Sequence, residues 1–239
     1  MLEILYDDED LVAVNKPSGL LVHRSEIAKE ATEFALQVLR DQIGQEVFPV
    51  HRLDRPTSGV LLFAKKREAL SRISGLFEQG WVKKTYRAIV RGFVSEDALI
   101  DYSLAKESDF RGRKSKGEKQ KAITKLRVID RTELDFPVGN YATARFSLVE
   151  LRPQTGRKHQ LRRHMAHIRH PILGDTRHGD GKQNQVARAK LSVHRLMLHA
   201  TELSFFDEIR GVRVEIQAPL SEDFRLVLKG MNFRFGRRG

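Results

Sequence analysis

The sequence has no cysteine, a single tryptophan and only seven prolines, and its acidic residues are outnumbered by basic ones. Without cysteine there is no disulfide and no thiolate zinc site, which is compatible with a reducing compartment. No apolar run approaches the ~20 residues needed to span a bilayer. The N-terminus, MLEILYDDEDLVAVNKP, is acidic and strand-like, unlike a signal or transit peptide. We therefore expect a soluble, cytoplasmic protein.

Basic residues dominate the charge of the 239-residue chain. Lysine and arginine number 43 and aspartate and glutamate 31, so the formal net charge is +12. A surplus of this size attracts polyanions and favours nucleic acid or an anionic membrane as a partner. The alternative is a basic surface that binds neither.

Short alternating strands outnumber helices along the sequence. Helical periodicity covers 29–43, 66–79, 156–170 and 221–230, and residues 82–93 alternate as a strand does. We expect an α+β (mixed α/β) fold with a large, mostly antiparallel sheet. The simplest interpretation is that residues 1–239 form a single domain. The charged stretch 105–121 would be a basic loop inserted in that domain.

One carboxylate stands out within HRLDRPTSGVLLFAK, residues 51–65. Asp54 lies between Arg52 and Arg55, before an apolar run. An aspartate in such a turn commonly only bonds nearby backbone N–H groups. However, guanidinium groups within about 4–6 Å favour the ionised form of a carboxylate. An ionised acid with no second acid beside it suits nucleophilic catalysis.

The segment 155–170, TGRKHQLRRHMAHIRH, is rich in cations and histidines. Its five cations predict either a solvated helix face or an element that contacts phosphates, and the net charge favours the second. The five are Arg157, Lys158, Arg162, Arg163 and Arg169. The histidines at 159, 164, 167 and 170 suggest a metal, but the segment has no carboxylate and its arginines would repel a cation. We predict no metal and, without a Walker A or GxGxxG motif, no nucleotide cofactor.

Tyr86 lies in the strand KKTYRA. It is either a buried aromatic, the usual fate of tyrosine in a strand, or a ring that stacks on a nucleobase. In the second case Lys83, Lys84 and Arg87 would gather the nucleic-acid backbone. The sequence by itself leaves both open.

Five blocks, in order, resemble the RluA-type pseudouridine synthases. They are NKPSGLLVH (15–23), HRLDRPTSGVLL (51–62), KKTYRAIVRG (83–92), TGRKHQLRRHMA (155–166) and HPILGD (170–175). The resemblance implies a pseudouridine synthase fold, with a bent sheet flanked by helices and an RNA-binding cleft. It implies isomerisation of uridine to pseudouridine without cofactor. The likeness is greater to members that modify tRNA on its T-arm side, at uridine sixty-five.

The resemblance also implies roles for single residues. Asp54 matches the catalytic aspartate, Tyr86 the tyrosine that packs on the target base, and Arg157 the basic residue that pairs with the aspartate. Leu161 matches the apolar wall of the base pocket, and Arg52 the arginine that fills the gap left by the flipped nucleotide. The RNA-binding set on this basis is Arg52, Arg55, Lys84, Lys158, Arg162 and Arg163.

Some relatives carry an S4-like RNA-binding domain before these blocks, and we expect none here. The selection of one RNA over another would then depend on the cleft, the 105–121 loop and the basic C-terminal tail. We expect a monomer whose partner is RNA, above all tRNA. The alternatives are an enzyme for ribosomal RNA or for several RNAs, and a non-catalytic RNA-binding protein or chaperone.

Overall fold

The computed structural model describes residues 1–23, 33–107 and 118–234. Within these ranges the chain forms five helices and twelve strands. The helices are α1 Ala35–Ile43, α2 Arg67–Glu78, α3 Gln160–His167, α4 Gly181–Leu191 and α5 Glu222–Gly230. The strands are β1 Glu3–Asp7, β2 Leu11–Lys16, β3 Phe48–Pro49, β4 Ser58–Ala64, β5 Lys83–Arg91, β6 Ala98–Asp101, β7 Leu104–Ala105, β8 Lys119–Gln120, β9 Ile123–Leu134, β10 Ala144–Pro153, β11 Leu198–Asp207 and β12 Val212–Gln217.

The described chain divides into two compact units. The first contains Met1–Thr85 and Ala200–Pro219, and the second contains Tyr86–Glu107, 118–199 and 220–234. The expectation of a single domain stays a prediction.

The first unit is built on antiparallel pairs. Strand β2 lies between β1 and β4, and β12 pairs with β11. All seven residues of β4 are buried, which explains why its sequence, SGVLLFA, is almost continuously apolar rather than alternating. Helix α2 contributes Ala69, Ile73 and Leu76 to the core beneath these strands.

The second unit contains the antiparallel series β5–β10–β9–β6. Because side chains alternate across a strand, the two faces of this sheet form two separate cores. Ile89 and Leu148 belong to one, with α5. Val90 and Val149 belong to the other, with α3.

The expectation of an α+β fold dominated by antiparallel strands is confirmed. Helix α2 was predicted to within one residue at each end. Of the first predicted helix, residues 35–43 are helical and 29–32 lie outside the described residues. The ends of the predicted 105–121 loop form the paired strands β7 and β8, and residues 108–117 lie outside the described ranges. No helix in the described ranges is long and apolar enough to cross a membrane.

Candidate active site

Asp54 lies in a tight turn that leads directly into β4. The Thr57 N–H donates to the Asp54 carbonyl at 3.0 Å, and the strand starts at Ser58. The chain leaves this turn through Gly59, whose φ of +109° is unfavourable for any residue with a side chain. A Cβ at Gly59 would also lie 2.1 Å from the carbonyl oxygen of Ala200. The turn is therefore joined to a strand that tolerates little movement.

The buried lysine Lys16 forms hydrogen bonds to this turn and to the loop 17–20. The side chain of Lys16, at the end of β2, is fully buried. Its Nζ donates to the carbonyls of Pro17 and Leu20 at 2.8 Å and to that of Arg55 at 3.2 Å. A buried ammonium group is stable only when it is hydrogen-bonded. The carbonyls of the 17–20 loop and of the residue after Asp54 satisfy it, and Lys16 thus links the two loops.

Three further hydrogen bonds link the same two loops. The Gly19 N–H donates to the Arg55 carbonyl at 2.8 Å, and the Arg55 Nε donates back to the Gly19 carbonyl at 3.0 Å. The Ser18 hydroxyl donates to the Pro56 carbonyl at 2.8 Å. We call Lys16 and these loop contacts the lysine clamp. Sequence reasoning missed this role of Lys16, although NKPSG was among the recognised blocks.

The two arginines beside Asp54 are both exposed. The Nε of Arg55 donates to the Gly19 carbonyl in the 17–20 loop at 3.0 Å. That these two charges hold Asp54 ionised stays a prediction.

Lys84, expected at the RNA backbone, lies half-buried in the first unit. Its Nζ is 5.7 Å from the ring centroid of Phe77, on which His51 stacks at 5.0 Å. Burial lowers the pKa of Lys84. Burial, reinforced by Lys84, lowers the pKa of His51 to about 3, and its Nε2 accepts a hydrogen bond from Leu62 N at 3.0 Å. His51 is therefore a neutral structural support beneath the Asp54 segment.

In the second unit, Tyr86 and Leu161 belong together. Leu161 is a buried member of the apolar cluster on one face of the sheet, and Tyr86 packs against that cluster as a partly buried ring. Leu161 comes from α3 and Tyr86 from β5. An apolar wall beside an aromatic ring is what the resemblance implies for these two positions.

Arg157 lies on the surface, three residues before α3. Its Nε donates to the Lys121 carbonyl at 3.0 Å, and its backbone N–H donates to Gln160 Oε1 at 3.0 Å. Gln160 is buried, and its Nε2 donates to the Ile123 carbonyl at 2.9 Å. Helix α3 begins at Gln160, later than predicted, because residues 157–160 form a turn in which Gln160 N bonds the Arg157 carbonyl at 3.0 Å.

Arg162 requires a correction. It is buried, and its Nε and Nη2 each donate to the carboxylate of Asp175 at 2.8 Å. Burial would raise the pKa of Asp175, but hydrogen bonds from Arg162 and from the His178 backbone lower it below its usual value. A guanidinium group so enclosed does not face a phosphate in solvent, and we withdraw Arg162 from the RNA-binding set.

The remaining predicted cations of this segment lie nearer the surface. Arg163 is half-buried, and its Nη1 donates to the Ala105 carbonyl at 3.0 Å. Lys158 is half-buried as well. Both remain candidates for RNA contact.

Histidines of the segment 155–170 mostly have structural partners. His164 is buried, and its ring nitrogens lie 3.0 Å from Thr124 Oγ1 and from the Tyr102 carbonyl. His167 stacks on Tyr102 at 3.5 Å, and His170 Nδ1 lies 2.8 Å from the Arg91 carbonyl.

His159 differs, since it meets two partners that sequence reasoning did not connect with it. Its Nδ1 lies 3.0 Å from His178 Nε2 and 3.4 Å from Glu107 Oε2. The ligand atoms of these three residues lie within 4.8 Å of one another. The missing carboxylate in the metal argument is thus supplied from outside the segment, where local sequence gave no signal.

The fold and the clamped aspartate agree with one family of enzymes. The model of the family described as RNA pseudouridylate synthase matches residues 10–167. The chain belongs to this family, and the resemblance to RluA-type pseudouridine synthases is confirmed.

Individual relatives extend the match over the whole chain. The chain is 52% identical over 239 residues to tRNA pseudouridine synthase C of Vibrio cholerae, covering 99% of this chain and 96% of that protein. It is 50% identical over 242 residues to tRNA pseudouridine synthase C of Salmonella typhi, covering 100% and 92%. Among solved structures, human RNA Pseudouridylate Synthase Domain Containing 1 is similar with a TM-score of 0.72, 27% identity and coverage of 92% and 84%.

Proposed function

We propose that this protein converts a uridine of tRNA to pseudouridine, on the T-arm side at uridine sixty-five. The observation that carries the proposal is the lysine clamp, which fixes Asp54 at the start of a buried strand in a chain about half identical to tRNA pseudouridine synthases. The net charge of +12 suits a polyanionic substrate.

The reaction is an isomerisation and needs no co-reactant. The N1–C1′ glycosidic bond of the uridine breaks, the base turns, and a C5–C1′ bond forms. The proton on C5 leaves that carbon, and N1 gains one, so atoms and charge balance. The target nucleotide must first leave its stack, which costs a few kcal/mol and is offset by contacts to the RNA backbone.

Each residue has a role in this proposal. Asp54 acts as the nucleophile or base at the ribose, and a rigid turn suits it because a reacting group must be held in place. Tyr86 packs on the uracil and is the candidate acceptor of the C5 proton. Leu161 forms the apolar wall. Arg157 pairs with the aspartate, as the resemblance implies.

RNA contacts in this proposal come from Arg52, Arg55, Lys84, Lys158 and Arg163. The proposal requires no metal and no cofactor, and it places the protein, as a monomer, in the cytoplasm where tRNA is processed. These parts stay predictions.

The test is pseudouridine mapping of total RNA from cells that lack the gene, by carbodiimide labelling and primer extension. We expect one tRNA signal to disappear and to return with the wild-type protein. Asp54→Asn should not restore it, because pseudouridine formation should fall by more than about 10³-fold without the carboxylate. Asp135→Asn, the same change at an exposed position, should restore it fully.

The other outcomes point to the alternatives. Loss of a ribosomal RNA signal would keep the chemistry and reject tRNA as the substrate. A phenotype rescued by Asp54→Asn, with no pseudouridine site changed, would support an RNA-binding protein or chaperone.

A further inference from the structure

Four basic side chains of the second unit converge on one carboxylate, that of Glu107. They come from the start of α3 and from the turn after Asp175. Arg177 Nη2 lies 3.1 Å from Oε2, and Arg163 Nε lies 3.7 Å from Oε1. His159 Nδ1 lies 3.4 Å from Oε2, and His178 Nε2 lies 3.9 Å from Oε1.

One oxygen of the Glu107 carboxylate is poorly hydrogen-bonded in this pocket. Its Oε2 is buried, yet among the described residues it has no hydrogen-bond partner of acceptable geometry. The neighbouring pair of Arg162 and Asp175 shows the contrast, since two hydrogen bonds between them are 2.8 Å long. The Oε2 of Glu107 thus lies 3.1 Å from Arg177 Nη2 without a well-aligned hydrogen bond, unlike the oxygens of Asp175.

Contacts that do not involve Glu107 hold parts of this pocket in place. The backbone N–H groups of Arg177 and His178 both donate to Asp175 Oδ1, at 2.9 and 3.0 Å. On the other side, His159 adopts a left-handed conformation with φ of 53°, immediately before α3. The two histidine rings meet edge to face with centroids 5.2 Å apart.

The charge around the pocket selects an anion. Two histidines and a glutamate are ligands that Zn²⁺ accepts. However, two guanidinium groups within 3.1 and 3.7 Å of the carboxylate would repel any cation bound there. Arginine, by contrast, is the residue that matches phosphate oxygens. A tetrahedral phosphodiester presents oxygens in more directions than a carboxylate does.

We propose that the pocket formed by His159, Arg163, Arg177 and His178 binds a backbone phosphate of the RNA substrate, and that Glu107 is a resident anion which this phosphate displaces. The inference rests on the proposed function, because it takes RNA as the ligand. It assigns Arg163 a defined contact and adds three residues that sequence reasoning did not connect with RNA.

The first test compares glutamate variants in binding to an unmodified tRNA transcript, with Asp54→Asn present throughout to prevent turnover. Removing a competing anion should strengthen binding, so Glu107→Gln should lower Kd by about 3- to 10-fold. Glu96→Gln removes the same charge from an exposed residue and should change Kd less than twofold. Equal effects of the two variants would overturn the proposal.

Arginine variants test whether RNA contacts this pocket. Arg177, whose side chain is 54% exposed, can be replaced with little risk to folding. Arg177→Gln should raise Kd by about 3- to 10-fold and reduce the salt dependence of binding by about one phosphate contact. Arg188→Gln, at an exposed site on α4, is the matched control and should do neither.

The double variant separates displacement from general repulsion. If phosphate replaces Glu107 in the pocket, the gain from Glu107→Gln should vanish when Arg177→Gln is also present. A gain that persists would mean that Glu107 merely repels RNA at a distance, and the proposal would fail. Glu107→Ala repeats the measurement in case the glutamine variant folds poorly, which thermal melts will show.

Two further readouts complete the test. Zn²⁺ alone should not raise the melting temperature of the wild-type chain, and a rise that Glu107→Gln abolishes would identify a cation site instead. Pseudouridine formation by chains with Asp54 intact is measured in parallel. If tRNA is modified but the Glu107 and Glu96 variants bind alike, only this inference fails. If wild type modifies no tRNA, the proposed function fails.

Discussion

Lys16 positions the Asp54 turn through the carbonyl groups of two loops. Sequence alone does not reveal this, because the Arg55 carbonyl it binds lies far along the chain and backbone acceptors leave no mark on residue identity. The place of Asp54 in a turn before a buried strand could be predicted, because one short block contains both the turn residues and the start of that strand.

Replacing Lys16 by methionine should preserve packing while leaving buried carbonyls without their donor. We expect the free energy of unfolding to fall by about 2–4 kcal/mol, because hydrogen bonds to a charged group are lost in the interior. Pseudouridine formation should fall as well, since the turn is released. Urea denaturation and a turnover assay measure the two effects.

Lys190→Met is the control for this variant, because Lys190 is exposed on α4. It should change the unfolding free energy by less than about 0.5 kcal/mol. If both variants are equally stable, the lysine clamp does not stabilise the turn.

At the scale of elements, periodicity predicted α2 well and missed α4. The sequence of α4, GKQNQVARAKL, has few apolar residues and no clear apolar face. Its start depends on Asp180, whose carboxylate accepts hydrogen bonds from the N–H groups of Lys182 and Gln183. An Asp before a run of good helix formers was a usable signal that periodicity does not detect.

Arg162 on α3 and Arg157 in the turn before it look alike in the sequence, yet one is buried and the other is exposed. Arg162→Gln should lower the unfolding free energy by about 3 kcal/mol, because it leaves Asp175 buried without its guanidinium partner. Arg157→Gln, at an exposed position, should leave it within about 0.5 kcal/mol. Urea denaturation of the two variants makes the comparison.

Turnover assays of the same two variants test the proposed role of Arg157. If Arg157 pairs with Asp54 as proposed, Arg157→Gln should lose activity at unchanged stability. Full activity in Arg157→Gln would remove it from the catalytic residues. To predict which of the two arginines is buried, one must know where α3 begins. That start depends on the turn at 157–160.

For the whole molecule, we expect buried and half-buried histidines to govern the response of stability to mild acid. Burial lowers the pKa of His164 and His178, and lowers that of His51 from 6.5 to about 3. Between those pH values the unfolded chain binds protons that the native chain does not. Stability is therefore fully present above about pH 6.5 and is lost as pH falls towards 3, by up to about 1.4 kcal/mol per pH unit for His51.

Unfolding free energies measured between pH 7 and 5 test this dependence. Protonation of carboxylates with lowered pKa, such as Asp175 and Glu150, destabilises the protein in the same direction, but mainly near and below their unfolded values of 3.8 and 4.5. The slope above pH 5 thus belongs to the histidines, and His51→Gln should reduce it. A flat wild-type profile in that range would contradict the burial of these rings.

Within the lysine clamp, the hydrogen bonds that the ammonium group of Lys16 donates to Pro17, Leu20 and Arg55 all end on main-chain oxygens. Every amino acid supplies such an oxygen, so these bonds place no demand on which side chain occupies position 20. Position 55 differs, because the guanidinium group of Arg55 donates to the Gly19 carbonyl. Position 20 therefore offers freedom to an engineer or to natural variation. A side chain can be exchanged there while the turn that carries Asp54 keeps its place.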